Sequence, residues 1–140
     1  MRAFTNEWLK AATDDLLIIS DIIHRDTLTH MVAFHSQQAI EKVLKALLEE
    51  YEIDTPKIHK LIKLNTILLE NNKFEQLDKE LLNSLDELYI DSRYPGEMGL
   101  LPYGKPTLKD AKRFYEFAQE IFNKVCKILN ISIKELNNEN

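Results

Sequence analysis

Residues 29–52 read THMVAFHSQQAIEKVLKALLEEYE. The stretch holds neither glycine nor proline, and its Leu, Ala, Lys and Glu content favours helix. Ala33, Gln37, Ile40, Leu44, Leu47 and Tyr51 recur at steps of three and four, the spacing of one helical face. Val32, Ala39, Val43 and Ala46 widen that face. His35, Gln38, Lys42, Lys45 and Glu49 make a second, polar stripe. The segment is therefore a long amphipathic helix with a broad apolar side and a polar side that carries imidazole, amide and ammonium groups.

The same pattern extends outward in both directions. All three glycines (Gly96, Gly99, Gly104) and three of the four prolines (Pro95, Pro102, Pro106) fall between residues 94 and 106, and Pro56 is the remaining breaker. The rest divides into five helices. The first is expected from about Asn6 to His24 with Thr5 as N-cap and Trp8, Leu9, Ala12, Leu16, Ile19 and Ile23 at helical spacing. The second runs from about Thr29 to Glu52, the third from about Ile58 to Asn71, and the fourth from about Phe74 to Ser92. The fifth runs from Thr107 to about Leu129, and Asp110 three residues after Thr107 resembles a capping box. Helix five has two apolar stripes, one through Leu108, Ala111, Tyr115, Ala118, Phe122, Val125 and Leu129, the other through Phe114, Phe117, Ile121 and Ile128. Two readings follow: a helix central to its own bundle, or one that also offers a self-association surface.

Composition sets the class. At 140 residues the chain fits one domain, with a core over about residues 5–130 and a polar tail over 131–140. The apolar fraction is 44% and the charged fraction 29%, as in globular proteins. Cys126 is the sole cysteine, which excludes an intrachain disulfide and a thiolate metal cluster. No histidine or acid stands at metal-ligand spacing and no Gly-rich phosphate loop is present, so neither metal nor cofactor is expected. No apolar run nears the ~20 residues of a membrane span, and the polar start, Arg2 to Glu7, is unlike a signal peptide. A cytoplasmic protein is expected. The net charge of −5 argues against a general nucleic-acid coater.

Several side chains are candidates for chemistry, each with a plain structural alternative. His35 borders the polar stripe beside Phe34: a half-buried structural histidine, or a proton donor or base. Gln38 and Lys42 share its stripe, and the plain alternative is a solvated face. Glu41 and Lys45, four apart, form a pair worth ~0.3–0.5 kcal/mol on an exposed helix. Tyr89 and Arg93 share a face at the end of helix four, where Tyr94-Pro95-Gly96 stops it. The guanidinium offers a planar fork to phosphate or carboxylate, or else neutralises the helix end. Tyr103 and Lys105 in the following loop are placed to close over a ligand. His59 caps helix three or points into a cleft. Cys126 reads as a buried thiol.

These segments, His35 to Ala46, Ile58-His59-Lys60-Leu61, Asp91 to Gly96, Trp8 to Leu16 and Thr107 to Ala111, in this order over about residues 5–129, resemble the HEPN family. The resemblance implies an all-α, up-and-down bundle of four to five helices that forms a homodimer. It implies binding of a nucleotide or RNA, often beside a small nucleotidyltransferase partner in a toxin–antitoxin-like pair. Many relatives are metal-independent ribonucleases that carry an arginine followed four to six residues later by a histidine. No histidine follows Arg93 in that window. Arg25 and His30 have the spacing but sit in the first inter-helix turn, and chance supplies about 0.3 such matches in a chain of this composition. Three functions stand: a ligand-binding module whose dimer cleft is lined by His35, Gln38, Lys42, Tyr89, Arg93 and Tyr94; a ribonuclease with His35 or His59 as base and Arg93 as cation; and a non-catalytic scaffold for a partner. All three rest on helices two and four lying side by side.

Overall fold

A computed structural model describes residues 1–55, 57–92, 104–132 and 135–136, with side chains left out at 90–92. Five helices follow one another: α1 Ala3–Ile22, α2 Thr29–Glu50, α3 Leu61–Glu70, α4 Lys79–Ser92 and α5 Leu108–Ile128. A short 3-10 turn, Asp26–Leu28, joins α1 to α2. The fold is an all-helical bundle, and α2 is its axis, packing against α1, α5, α4 and α3.

The C-terminal half of α2 explains that role. Val43, Leu44, Lys45, Ala46, Leu47 and Leu48 are six consecutive buried residues. A helix covered on every side lies inside its domain. Leu44, Leu47 and Leu48 meet Leu61, Leu64 and Leu68 of α3, Leu82 and Leu85 of α4 and Phe122 and Val125 of α5 in one core. A smaller cluster of Ile19, Val32 and Ala111 joins the top of α1, α2 and α5. Both stripes of α5 are spent within the bundle: Phe114, Phe117, Ile121, Phe122 and Val125 are all buried, and only Leu108 and Ile128 near its ends are exposed.

The ends differ from expectation in instructive ways. α1 begins at Ala3, three residues early, and Thr5 is not its cap. The Thr5 hydroxyl is buried inside the helix without a hydrogen-bond partner. Arg2 anchors that end instead: its amide donates to Glu50 and its guanidinium to Glu49 and Glu52 at the far end of α2. The third and fourth helices start later than their apolar spacing predicts, at Leu61 and Lys79. Phe74 and Leu77 are buried although they precede α4. Asn65 holds their segment, with its Nδ2 donating to the Glu75 carbonyl and its Oδ1 accepting from the Leu77 amide. The Thr107–Asp110 capping box at the start of α5 forms as predicted.

Candidate functional site

Two buried carboxylates organise the polar side of α2. Asp15 of α1 is one. Its Oδ1 accepts from His35 Nδ1 at 2.9 Å and its Oδ2 from Lys42 Nζ at 2.7 Å. The Asp15 side chain is 7% exposed, those of His35 and Lys42 17% and 24%, so the imidazole and the ammonium both reach the surface from a buried anchor. Glu41 is the other carboxylate. It accepts from Gln37 Nε2 at 3.1 Å, from Lys45 Nζ at 3.0 Å and from His59 Nδ1 at 3.2 Å to both oxygens.

Each carboxylate therefore serves one lysine and one histidine. An ionised carboxylate only accepts, so each imidazole carries its proton on Nδ1 and turns Nε2 away from its anchor. Gln37 fixes the second cluster further. It donates to the His59 carbonyl at 2.8 Å, while its own Oε1 accepts from Gln38 Nε2 at 2.7 Å. Backbone and ring of His59 are thus both tied to α2.

Aromatic rings join the two histidines. The Phe34 ring meets His35 edge-on at 5.2 Å between centroids and lies parallel to Tyr89 at 5.7 Å. Tyr89 in turn stands 5.7 Å from the His59 ring. The sequence-predicted residues His35, Gln38, Lys42, Tyr89 and His59 are accordingly brought together along α2, with α4 beside it. Arg93, Tyr94 and Tyr103 lie outside the described residues.

Three expectations need correction. Glu41 and Lys45 are not an exposed pair; both are buried, and the Lys45 ammonium sits 5.5 Å from the centre of the Trp8 ring. His59 does not cap α3: its ring goes to Glu41, and the cap comes from Asp86 on α4, which accepts from the Leu61 and Ile62 amides at 2.8 and 3.3 Å. Burial raises the Asp86 carboxyl above its ordinary value, against the pull of those amides and of Lys60; nearby Glu41 pushes in the same upward direction. Lys105 does not close over the site either. Its ammonium donates to the Thr27 carbonyl at 2.8 Å, near His30, whose imidazole is lowered by burial and then by that ammonium.

Sequence reasoning missed Asp15 and the role of Gln37. Asp15 breaks an otherwise apolar row on α1 through Trp8, Ala11 and Ile18, which was the available signal. Cys126 is buried as expected, its thiol pushed up to about 11 by that burial, which leaves it inert as a nucleophile. Among the described residues no group of three or more His, Cys, Asp or Glu is placed to hold a metal ion. No described helix is long and apolar enough to cross a membrane.

The arrangement defines an all-helical bundle with a polar, histidine-bearing ridge on its central helix. The chain belongs to the HEPN domain family, whose model matches residues 5–129. The crystal structure of an archaeal HEPN homologue superposes with a TM-score of 0.61 at 24% identity, covering 91% of this chain and 99% of that one. At that identity the likeness concerns the fold alone. No curated protein matches the chain.

Proposed function

We propose that the α2 ridge binds a nucleotide or another phosphate-bearing ligand. The observation that carries this reading is the pair of buried carboxylates, each holding a lysine and a histidine side by side. A carboxylate and a lysine cancel, so protonation of either imidazole leaves its cluster with one positive charge beside an aromatic surface. That suits a phosphate next to a base or sugar. Arg93 and Tyr94 complete the ligand set in this reading. The family membership adds the expectation of an assembly, a homodimer or a complex with a small nucleotidyltransferase. Calorimetry with ATP, GTP and short oligonucleotides is expected to give binding that weakens at least about tenfold in Lys42→Ala and Arg93→Ala, the effect of losing one charge-assisted contact. Absence of binding by the native chain to all of them ends the reading.

A ribonuclease is the second reading, and one observation favours it. Both imidazoles are held through Nδ1 with Nε2 directed away from the anchor, the disposition a general base and a general acid need for attack by a ribose 2′-hydroxyl. Cleavage of labelled RNA that persists in EDTA and is lost in His35→Ala or His59→Ala supports it. Native-level cleavage in both variants removes these histidines from the role.

A further inference from the structure

His59 is the less enclosed of the two ridge histidines. Its side chain is 51% exposed, against 17% for His35, so packing alone does not hold the ring. Two bonds to α2 fix it on one side, the imidazole on Glu41 and the backbone carbonyl on Gln37. The chain then turns directly into α3, whose N-cap residue Lys60 makes no side-chain capping bond. The hold on the other side comes from α4. Asp86 is buried there, and its two oxygens accept separately from the Leu61 and Ile62 amides at 2.8 and 3.3 Å, two and three residues after His59. Tyr89, three positions further along α4, sets its ring 5.7 Å from the His59 ring.

The side chain that makes this hold is a costly one. The inward face of α4 is otherwise apolar, with Leu82, Leu85 and Leu88 buried. A charged carboxylate among them is disfavoured by desolvation, and burial accordingly raises the Asp86 carboxyl. A neutral serine or asparagine caps a helix without burying a charge. A carboxylate differs in bringing two acceptor oxygens, so two successive amides are held at once and the direction in which the chain leaves His59 is set. Glu41, which grips the His59 ring, also acts on Asp86 through space. The two acids thus hold residues 59–62 from two different helices.

We infer that Asp86 is a positioning residue of the ridge: by fixing the first two amides of α3 it fixes the place of the His59 imidazole. Being buried, it meets no ligand itself and acts through His59. The worth of that placement for binding rests on the proposed function, whereas the placement itself does not.

Nitrogen NMR of the imidazole rings at about pH 8, above the ordinary imidazole range, reads the tautomer of each histidine without any ligand. Native His59 and His35 are both expected with the proton on Nδ1. Asp86→Ala is expected to abolish that preference at His59 and to leave it at His35, whose anchor is Asp15. Asp86→Asn, which keeps one acceptor, is expected to retain most of it. A native signature at His59 in folded Asp86→Ala overturns the inference. Loss at both histidines also overturns it, because that is a general loosening and not a local placement. Where Asp86→Ala does not fold, Asp86→Ser takes its place under the same criteria. Calorimetry with ATP gives the second readout. Asp86→Ala is expected to weaken binding about fivefold, His59→Ala about tenfold, and the double variant also about tenfold, since one residue acts through the other. A double variant weakened about fiftyfold, the product of the two, overturns the inference. A native chain that binds no nucleotide ends the reading of the ridge as a binding site, and the NMR result then still decides the placement, so the two failures are distinguishable.

Discussion

Asp15 shows what a single residue contributes here and why it was hard to see. In the sequence it is one of two adjacent acids on an amphipathic helix, and its partners lie 20 and 27 positions away. Periodicity reports which face a residue occupies but not what that face meets. The same limit misjudged Glu41 and Lys45. Their i,i+4 spacing was legible, whereas their burial, with Lys45 against Trp8 and Glu41 against His59, depends on how other segments pack on α2. Gln37 was correctly placed on the buried side, yet its amide is there to tie Gln38, Glu41 and His59 together. His35, Gln38, Lys42 and His59 were visible because they break the apolar rhythm of α2 and of the segment before α3. Asp15→Asn is expected to lower stability by about 1–2 kcal/mol in urea unfolding. Full loss of a buried pair costs more, but His35 and Lys42 keep partial access to water and recover part of their solvation. A loss under about 0.3 kcal/mol, within the range of neutral surface changes, shows that the carboxylate does not hold the imidazole and the ammonium together.

At the scale of elements, apolar spacing placed all five helices, while their ends followed local polar chemistry. α2, the segment before α4 and α5 are followed or preceded by signals of differing legibility. Thr107 and Asp110 announce the start of α5 by sequence alone. The C-terminal ends after α2, α3 and α5 share one device: Glu52, Asn72 and Asn130 take left-handed backbone, and the next amide reaches back to Leu48, Leu68 and Cys126. Two of those residues are asparagines, which tolerate that conformation; Glu52 carries no such signal. The start of α3 was illegible because its cap, Asp86, comes from another helix. That cap has a cost that depends on pH. Burial raises the Asp86 carboxyl, so the folded chain holds this proton more tightly than the unfolded chain. The associated stability is fully present below the ordinary carboxylate range and is lost as pH rises through the raised value. Asp86→Asn does not titrate and retains one acceptor for the two amides. Relative to that variant, the native chain is expected to gain stability between pH 7 and pH 4 in paired urea titrations. A relative loss over that interval contradicts the assigned direction.

Across the whole molecule, charge separates two kinds of nucleic-acid binding that the ridge by itself does not. The chain carries 23 acids against 18 lysines and arginines, a net charge of −5. Its site lysines are already committed to carboxylates, Lys42 to Asp15 and Lys45 to Glu41. Lys45 is buried, and Arg2, Arg113 and Lys124 pair with acids elsewhere on the surface. The net negative charge opposes a polyanion passing over this protein, so counterion release, which scales with the phosphates neutralised, is expected to come from the ridge alone and to be small. If Lys42, Arg93 and one protonated imidazole are the groups engaged, about three phosphates are neutralised. For single-stranded RNA this gives a slope of log affinity against log salt near −2.1, or about an eighteenfold loss between 50 and 200 mM salt. Fluorescence anisotropy of labelled poly-U over that range checks it, and a mononucleotide measured beside it is expected to retain most of the affinity. A slope steeper than about −4 would mean that long strands contact an extended basic surface. The arrangement of acids around both lysines leaves no room for such a surface on the described face of α2, so the steep slope would also move the binding site away from the ridge.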